Sequence, residues 1–249
     1  MARNSKSNPH FADKYFDEID ETSESDNYFV PVLQEVSQTI NFKTARVLDV
    51  GCGTGIFLSP LISAGCENCY GVDGPSEYAE RALRRGFKEV RVVADLSNTP
   101  LPFEAESFDF VVCKDVFEHL LNPIYALTSI KQVLKPEGHL LLHVPNHFPL
   151  YGRLKFLVSN DIDTFSFFKG ESRWTFPHIR FYEYRNLLQV LDEHGFVLVN
   201  DLSHHFEAIP FLSRFEALRP LRKYLVRRFP NQFAAGFTFL VKKKQVIFP

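Results

Sequence analysis

Apolar residues change their spacing along the chain, and the changes divide it into elements. From Tyr28 to Ile40 they recur every three or four positions (Phe29, Val32, Leu33, Val36, Ile40), as one face of a helix requires. Runs rich in β-branched and aliphatic residues follow at 46–50 (RVLDV), 69–73 (CYGVD), 89–94 (EVRVVA), 108–113 (FDFVVC) and 139–144 (HLLLHV). Helical patterns lie between them: 75–85 begins at Pro75 and stops at Gly86, and 123–134 begins at Pro123 and stops before Pro136 and Gly138. Short apolar strands alternating with helices predict βαβ crossovers and a mostly parallel, doubly wound α/β sheet with helices on both faces.

After the fifth strand the pattern lapses into an aromatic-rich stretch, 147–181, with Phe148, Tyr151, Phe156, Phe165, Phe167, Phe168, Trp174 and Phe176. A connection of that length predicts a lid or binding insertion. Order returns as a helix at 182–194 and strands at 196–201 and 233–242, with an amphipathic basic helix, broken by Pro220, in the segment between them. The expected organisation is a single domain: a helical cap over 1–44 with a polar, acidic start, a cofactor-binding core over 45–146, and substrate or lid insertions over 147–181 and 203–232.

Composition narrows the class. The 249 residues are 45% hydrophobic and 23% charged, which excludes disordered, collagen-like and coiled-coil chains. No run approaches the roughly 18 apolar residues of a membrane span and the first residues carry no apolar signal core, so a cytoplasmic location is expected. Four cysteines, Cys52, Cys66, Cys69 and Cys113, suit a reducing compartment, and the Cys66/Cys69 pair has no second pair at zinc-ribbon spacing. The net charge of −2 conceals an asymmetry: residues 203–249 hold nine basic and two acidic side chains, the first 202 hold 19 and 28. A basic, Phe-rich region on an acidic body suits an anionic substrate, a lipid headgroup or nucleic acid, or is a solvated face.

The chemistry concentrates at strand ends. In VLDVGCGTG a buried strand runs into Gly51, Gly53 and Gly55, where the backbone can turn tightly and approach a nucleotide-like ligand. Ile56 stands where the dinucleotide fingerprint needs its third glycine, which argues against NAD or FAD. Asp73 ends the second strand, 18 residues after Gly55, as an acid able to accept from both ribose hydroxyls. Asp95 and Leu96 place a polar group and an apolar wall at the end of the third.

VLDVGCGTG, GVDG, VVADL, FDFVVCKDVFEHL and LKPEGHLLLHVPN together resemble the successive motifs of class I S-adenosylmethionine-dependent methyltransferases over roughly residues 45–146. HIRFYEYRNLLQVLDEHGF resembles the segment before the sixth strand in the small-molecule branch that includes quinone-biosynthesis and sugar methyltransferases. The resemblance implies S-adenosylmethionine as cofactor, with Asp49, Gly51 and Gly53 around its methionine part, Asp73 on the ribose, Asp95 and Leu96 at the adenine, and Lys114 beside the methyl group. It also implies a seven-stranded Rossmann-like sheet closed by an antiparallel hairpin.

Methyl transfer to an alcohol or phenol needs in-line alignment and a proton acceptor. His143, at the end of the fifth strand, and His119, after the fourth, are the expected catalytic residues, with His147 and His178 flanking the insertion. Asp115, Glu118 and His119 form a DxxEH arrangement similar to the ExxEH metal motif of some quinone and RNA-terminus methyltransferases, but its first acid is one methylene shorter and no metal is expected. The expected partner is a small-molecule acceptor reacting at oxygen, phosphorylated or lipid-linked, with peripheral membrane contact through the basic segment and no nucleic acid. An RNA-modifying enzyme and a catalytically silent scaffold stand as alternatives.

Overall fold

A computed structural model describes residues 29–160 and 178–244. The acidic start of the chain, the aromatic positions Phe165, Phe167, Phe168, Trp174 and Phe176, and the last five residues lie outside the described residues.

Seven strands, β1 (Val47–Val50), β2 (Cys69–Asp73), β3 (Glu89–Val92), β4 (Phe108–Lys114), β5 (Leu134–Pro145), β6 (Phe196–Asp201) and β7 (Gly236–Lys243), form one sheet in the order β3-β2-β1-β4-β5-β7-β6. The first five are parallel, and β7 runs antiparallel to both β5 and β6. The expected sheet and its closing hairpin are both present. Apart from Asp49 and Asp109, the interiors of β1 and β4 are apolar on both faces, as both faces of the sheet are covered there.

Three helices, α1 (Val30–Val36), α2 (Ser59–Ser63) and α3 (Ser76–Arg84), cover one face with a core that includes Phe29, Val32, Leu61, Ala82 and Phe110. On the other face, α4 (Pro123–Val133), α6 (Tyr184–Glu193) and α7 (Arg219–Arg228) pack Leu127, Ile130, Leu187 and Val226 against Leu140 and Phe239. Between them, α5 (Leu150–Ser159) follows β5, and the four-residue α8 (Pro230–Phe233) leads into β7.

Local chemistry explains the boundaries, including those that differ from expectation. Asn122 caps α4 by accepting the Tyr125 amide at 3.1 Å, with Pro123 in the first turn. Leu134, expected to end α4, opens β5 instead. It pairs with Phe108 before the register shifts across the turn around Glu137, whose φ is +64°. The first helix ends at Val36, four residues short of Ile40, although Ile40 remains in its core. Pro220 does not break the basic helix: it lies in the first turn of α7, where its missing N–H costs no bond. The aromatic stretch, where the apolar pattern lapses, nevertheless begins with a helix, α5.

Candidate functional site

The carboxyl ends of β1, β2, β4 and β5 meet where the strand order reverses, the place at which open α/β sheets bind ligands. Asp49 in β1 is 2% exposed, and its Oδ2 has no hydrogen-bond partner among the described residues. Burial pushes its carboxyl up to about 7, with Lys114 opposing and Asp73 adding to the rise. Beyond it the chain turns through Gly51, Gly53 and Gly55 at φ +76°, +51° and +86°. At Gly51 the requirement is double, since a Cβ would also stand 2.3 Å from Val116 Cγ2. Asp73 draws this loop onto β2: its Oδ2 accepts from Gly53 N and its Oδ1 from Gly74 N, both at 2.7 Å. A carboxylate has about four acceptor positions, so each oxygen keeps one for a hydroxyl. Burial nevertheless raises the Asp73 carboxyl above its ordinary range.

Asp95 is engaged locally, accepting from Ser97 N at 2.8 Å and Asn98 Nδ2 at 2.7 Å, and so shapes the turn after β3. Leu96 is partly buried against the core beside that turn.

Past the glycine loop, Lys114 and His143 are register partners on β4 and β5, and Thr238 on β7 is opposite His143. His143 Nδ1 is 2.7 Å from Thr238 Oγ1, and Nε2 faces Asp115 Oδ1 at 3.4 Å. Phe29 stands edge-on to the imidazole at 4.9 Å and Phe206 is tilted against it at 4.8 Å. Burial, with Lys114 adding and Asp115 opposing, brings His143 down to about 4, so it is neutral near pH 7. Lys114 pairs with Asp115 and lies over the Phe29 ring at 4.9 Å. Burial of Asp115 is the largest influence and works against its charge, but Lys114, His143 and His178 together hold the carboxyl below its usual value.

The remaining groups come from a short turn, Phe117–His119, and from the chain entering α6. Glu118 is fully buried, neither carboxyl oxygen has a partner among the described residues, and burial next to Asp115 raises its carboxyl far above the ordinary range. Its backbone oxygen accepts from Ile179 N at 2.8 Å and Arg180 N at 3.1 Å, and the Tyr182 hydroxyl donates to Phe117 O at 2.9 Å. These bonds bring His178 edge-on to His119 at 4.8 Å and its Nδ1 to 2.6 Å from His147 Nε2. Burial first, then its two histidine neighbours, lowers His178 to about 3. Although no metal is expected, Glu118, His119 and His178 offer three donor atoms within 4.8 Å of one another.

The two expected catalytic histidines therefore stand in different surroundings: His143 is enclosed, whereas His119 is exposed at the cleft. The sequence reading placed Phe29 in a helix face and assigned nothing to Thr238. The pairing of His147 with His178 across the insertion carries no local signal. Asp115, at φ +53°, is a non-glycine residue forced into left-handed backbone at a strand end, where the sequence marks it as the first acid of the DxxEH arrangement.

A model of the methyltransferase domain family matches residues 22–201. The chain belongs to that family. S-adenosylmethionine is accordingly its cofactor, and the site fits one: a buried acid without a partner, a glycine turn and a second acid with spare acceptor capacity. Among the relatives of this methyltransferase domain, the ubiquinone biosynthesis O-methyltransferase of Haemophilus ducreyi is 34% identical over 108 residues, spanning 41% of this chain and 45% of the relative. The tRNA U34 carboxymethyltransferase of Azotobacter vinelandii is 33% identical over 112 residues, 44% of this chain and 35% of that one. The chain thus matches less than half the length of these relatives. A chain from the complex between the Haloferax volcanii Trm112 methyltransferase activator and a methyltransferase superposes with a TM-score of 0.66 at 16% identity, covering 96% of this chain and 100% of its own, which shows a shared fold.

Proposed function

We propose that the chain transfers the methyl group of S-adenosylmethionine to an oxygen of a small acceptor that enters at the histidine end of the cleft. The observation that carries this reading is Asp49, a fully desolvated carboxyl with a vacant oxygen beside the glycine turn. An isolated buried acid is costly, and a cationic ligand group relieves the cost. When bound, the cofactor supplies a methyl group on a positively charged sulfur. On this reading Asp49, Gly51 and Gly53 hold its amino-acid part, Asp73 its ribose hydroxyls, Asp95 and Leu96 the turn beside its adenine, and Lys114 the approach to the methyl group.

His119 then takes the acceptor's proton, since it is exposed at the cleft and backed by His178 and His147. His143 acts one step back. Held by Thr238 and walled by Phe29 and Phe206, it sets the position of Asp115, which in turn fixes Lys114. The names of the ubiquinone-pathway relatives support an oxygen nucleophile, and the mouth of the site supports an acceptor with an apolar tail. Phe148 and Phe181 are exposed beside His147, and α7 presents Arg219, Arg227 and Arg228 to solvent. RNA is the second reading, favoured by the tRNA-directed relative and the basic face of α7, and it predicts binding that falls steeply with salt.

Calorimetric titration with S-adenosylmethionine and S-adenosylhomocysteine tests the cofactor site. Wild type should bind both, and Asp73→Ala should weaken binding by about 10- to 100-fold, the value of one charge-assisted hydrogen bond. Folded wild-type protein that binds neither ligand would overturn the reading. His119→Ala with near-wild-type turnover at every pH would overturn the assignment of the base.

A further inference from the structure

A second group of metal-binding side chains lies outside the methyl-transfer cleft. Glu35 projects from α1, and His204 and His205 come from the short turn Ser203–His205 after β6. Their donor atoms lie within 4.8 Å of one another. Glu35 Oε2 is 2.8 Å from His205 Nε2 and 3.7 Å from His204 Nε2. A tetrahedral zinc ion with bonds of about 2.0–2.1 Å spaces its ligands about 3.3 Å apart, between those two separations.

The surrounding hydrogen bonds already point the donors inward. His204 Nδ1 is 3.3 Å from the Asp201 carbonyl oxygen, which only accepts, so the ring proton is on Nδ1 and Nε2 carries its lone pair. A backbone carbonyl behind a ligating imidazole is the usual support in metal sites. Asn200 Nδ2 donates to Glu35 Oε1 at 2.9 Å, which fixes the carboxylate and leaves Oε2 for the cluster. His204 is 3% exposed. One group opposes a cation here: Arg227 Nη2 lies 3.4 Å from His204 Nε2 and fills the place an ion would take.

We propose that Glu35, His204 and His205 form a zinc site that clasps α1 to the end of β6, with its fourth position left to water. The donor set, two imidazoles and one carboxylate, is one zinc takes readily. His205 joins by moving its proton from Nε2 to Nδ1, while Arg227 swings out to solvent. The clasp bears on the cleft without entering it. Phe206, the next residue, and Phe29, at the start of α1, touch each other at 4.6 Å and both touch His143.

The test is titration of chelator-treated full-length protein with Zn²⁺, and with Co²⁺ as a spectroscopic probe, in a His119→Ala background that disables the other constellation. The background protein should bind one equivalent with the visible spectrum of tetrahedral Co²⁺. Its melting midpoint should rise by about 5 °C or more once zinc reaches a hundredfold excess over its dissociation constant. Glu35→Gln and His205→Gln should each abolish this binding. Arg227→Ala should tighten it several-fold by removing the competing guanidinium, and this variant decides the matter if the ligand variants fail to fold. No metal binding, binding retained in a folded His205→Gln protein, or affinity unchanged by Arg227→Ala would overturn the proposal.

Discussion

Burial drives the Asp49 carboxyl from 3.8 to about 7, and this has a sign that can be measured. The folded chain holds a proton there that the unfolded chain releases near pH 4, so stability falls as pH rises from about 4 to 7 and stays low above. For the isolated group that gap corresponds to on the order of 4 kcal/mol. Asp49→Asn removes the charge but keeps the shape. The variant should therefore melt higher than wild type at pH 8, equal it near pH 4, and bind S-adenosylmethionine at least tenfold more weakly. Melting curves at the two pH values and one titration check all three. A variant no more stable than wild type at pH 8 would mean that the carboxylate has a partner in the free protein. Glu118 poses the same problem without a glycine loop beside it, and a cation or acceptor hydroxyl in the cleft would relieve it.

Among the elements, the segment entering α6 completes the cleft by docking on the Phe117–His119 turn. His178, lowered to about 3, contributes stability that is fully present above its ordinary value of 6.5 and drains away as pH falls towards 3. Asp49 and Glu118 act in the opposite sense, so the informative quantity is a difference between proteins. Between pH 7 and 4.5, His178→Gln should lose less melting temperature than wild type, and amide exchange at Ile179 and Arg180 should rise in wild type over the same interval. Equal slopes would show that His178 is not held neutral by the fold.

The same elements show what could be read in advance. Strands β2 and β6 run from Cys69 to Asp73 and from Phe196 to Asp201 as the apolar pattern predicts, although only β2 is covered along most of its length and the edge strand β6 leaves Val197, Leu198 and Val199 exposed. The strand ends carrying Asp49, Asp73 and Lys114 followed from the same pattern, since each motif is local. What eluded the pattern is tertiary. The contact of His147 with His178 joins residues 31 apart, that of His143 with Thr238 joins residues 95 apart, and the enclosure of His143 by Phe29 needs a helix from the start of the chain. Pro220 was misjudged for a local reason: a proline marks a break inside a helix and a beginning in its first turn, and only the position of Arg219 decides between them.

At the scale of the whole molecule, basic charge and apolar exposure meet at α7. Arg222 is withdrawn from the basic stretch, buried against Glu207 at 2.6 Å and the carbonyls of Leu212 and Phe215, so the solvent face of α7 rests on Arg219, Lys223, Arg227 and Arg228. With Phe211, Phe215 and Tyr224 exposed nearby, this face is suited to an anionic bilayer surface at about 1 kcal/mol per basic residue. Among the described residues no helix is long and apolar enough to cross a membrane. The protein should co-sediment with phosphatidylserine vesicles at low ionic strength, release in about 0.5 M salt as the Debye length shrinks, and lose most of the association in Arg219→Glu/Lys223→Glu. Binding to neutral vesicles of equal strength would sink the electrostatic reading.

The place of β7 has a consequence for how the protein comes to exist. Among the described residues it is the last strand in sequence but lies between β5 and β6, and there β6 pairs with it alone. While the chain emerges from the ribosome, the cofactor half can assemble, but β5 must present a bare apolar edge and β6 must wait unpaired until residues 236–243 arrive. Such an edge is a template for strands of other chains. Premature termination before Gly236 would thus yield a chain with its nucleotide cleft largely built and an adhesive flank, making degradation or aggregation, rather than a partly active fragment, the expected fate.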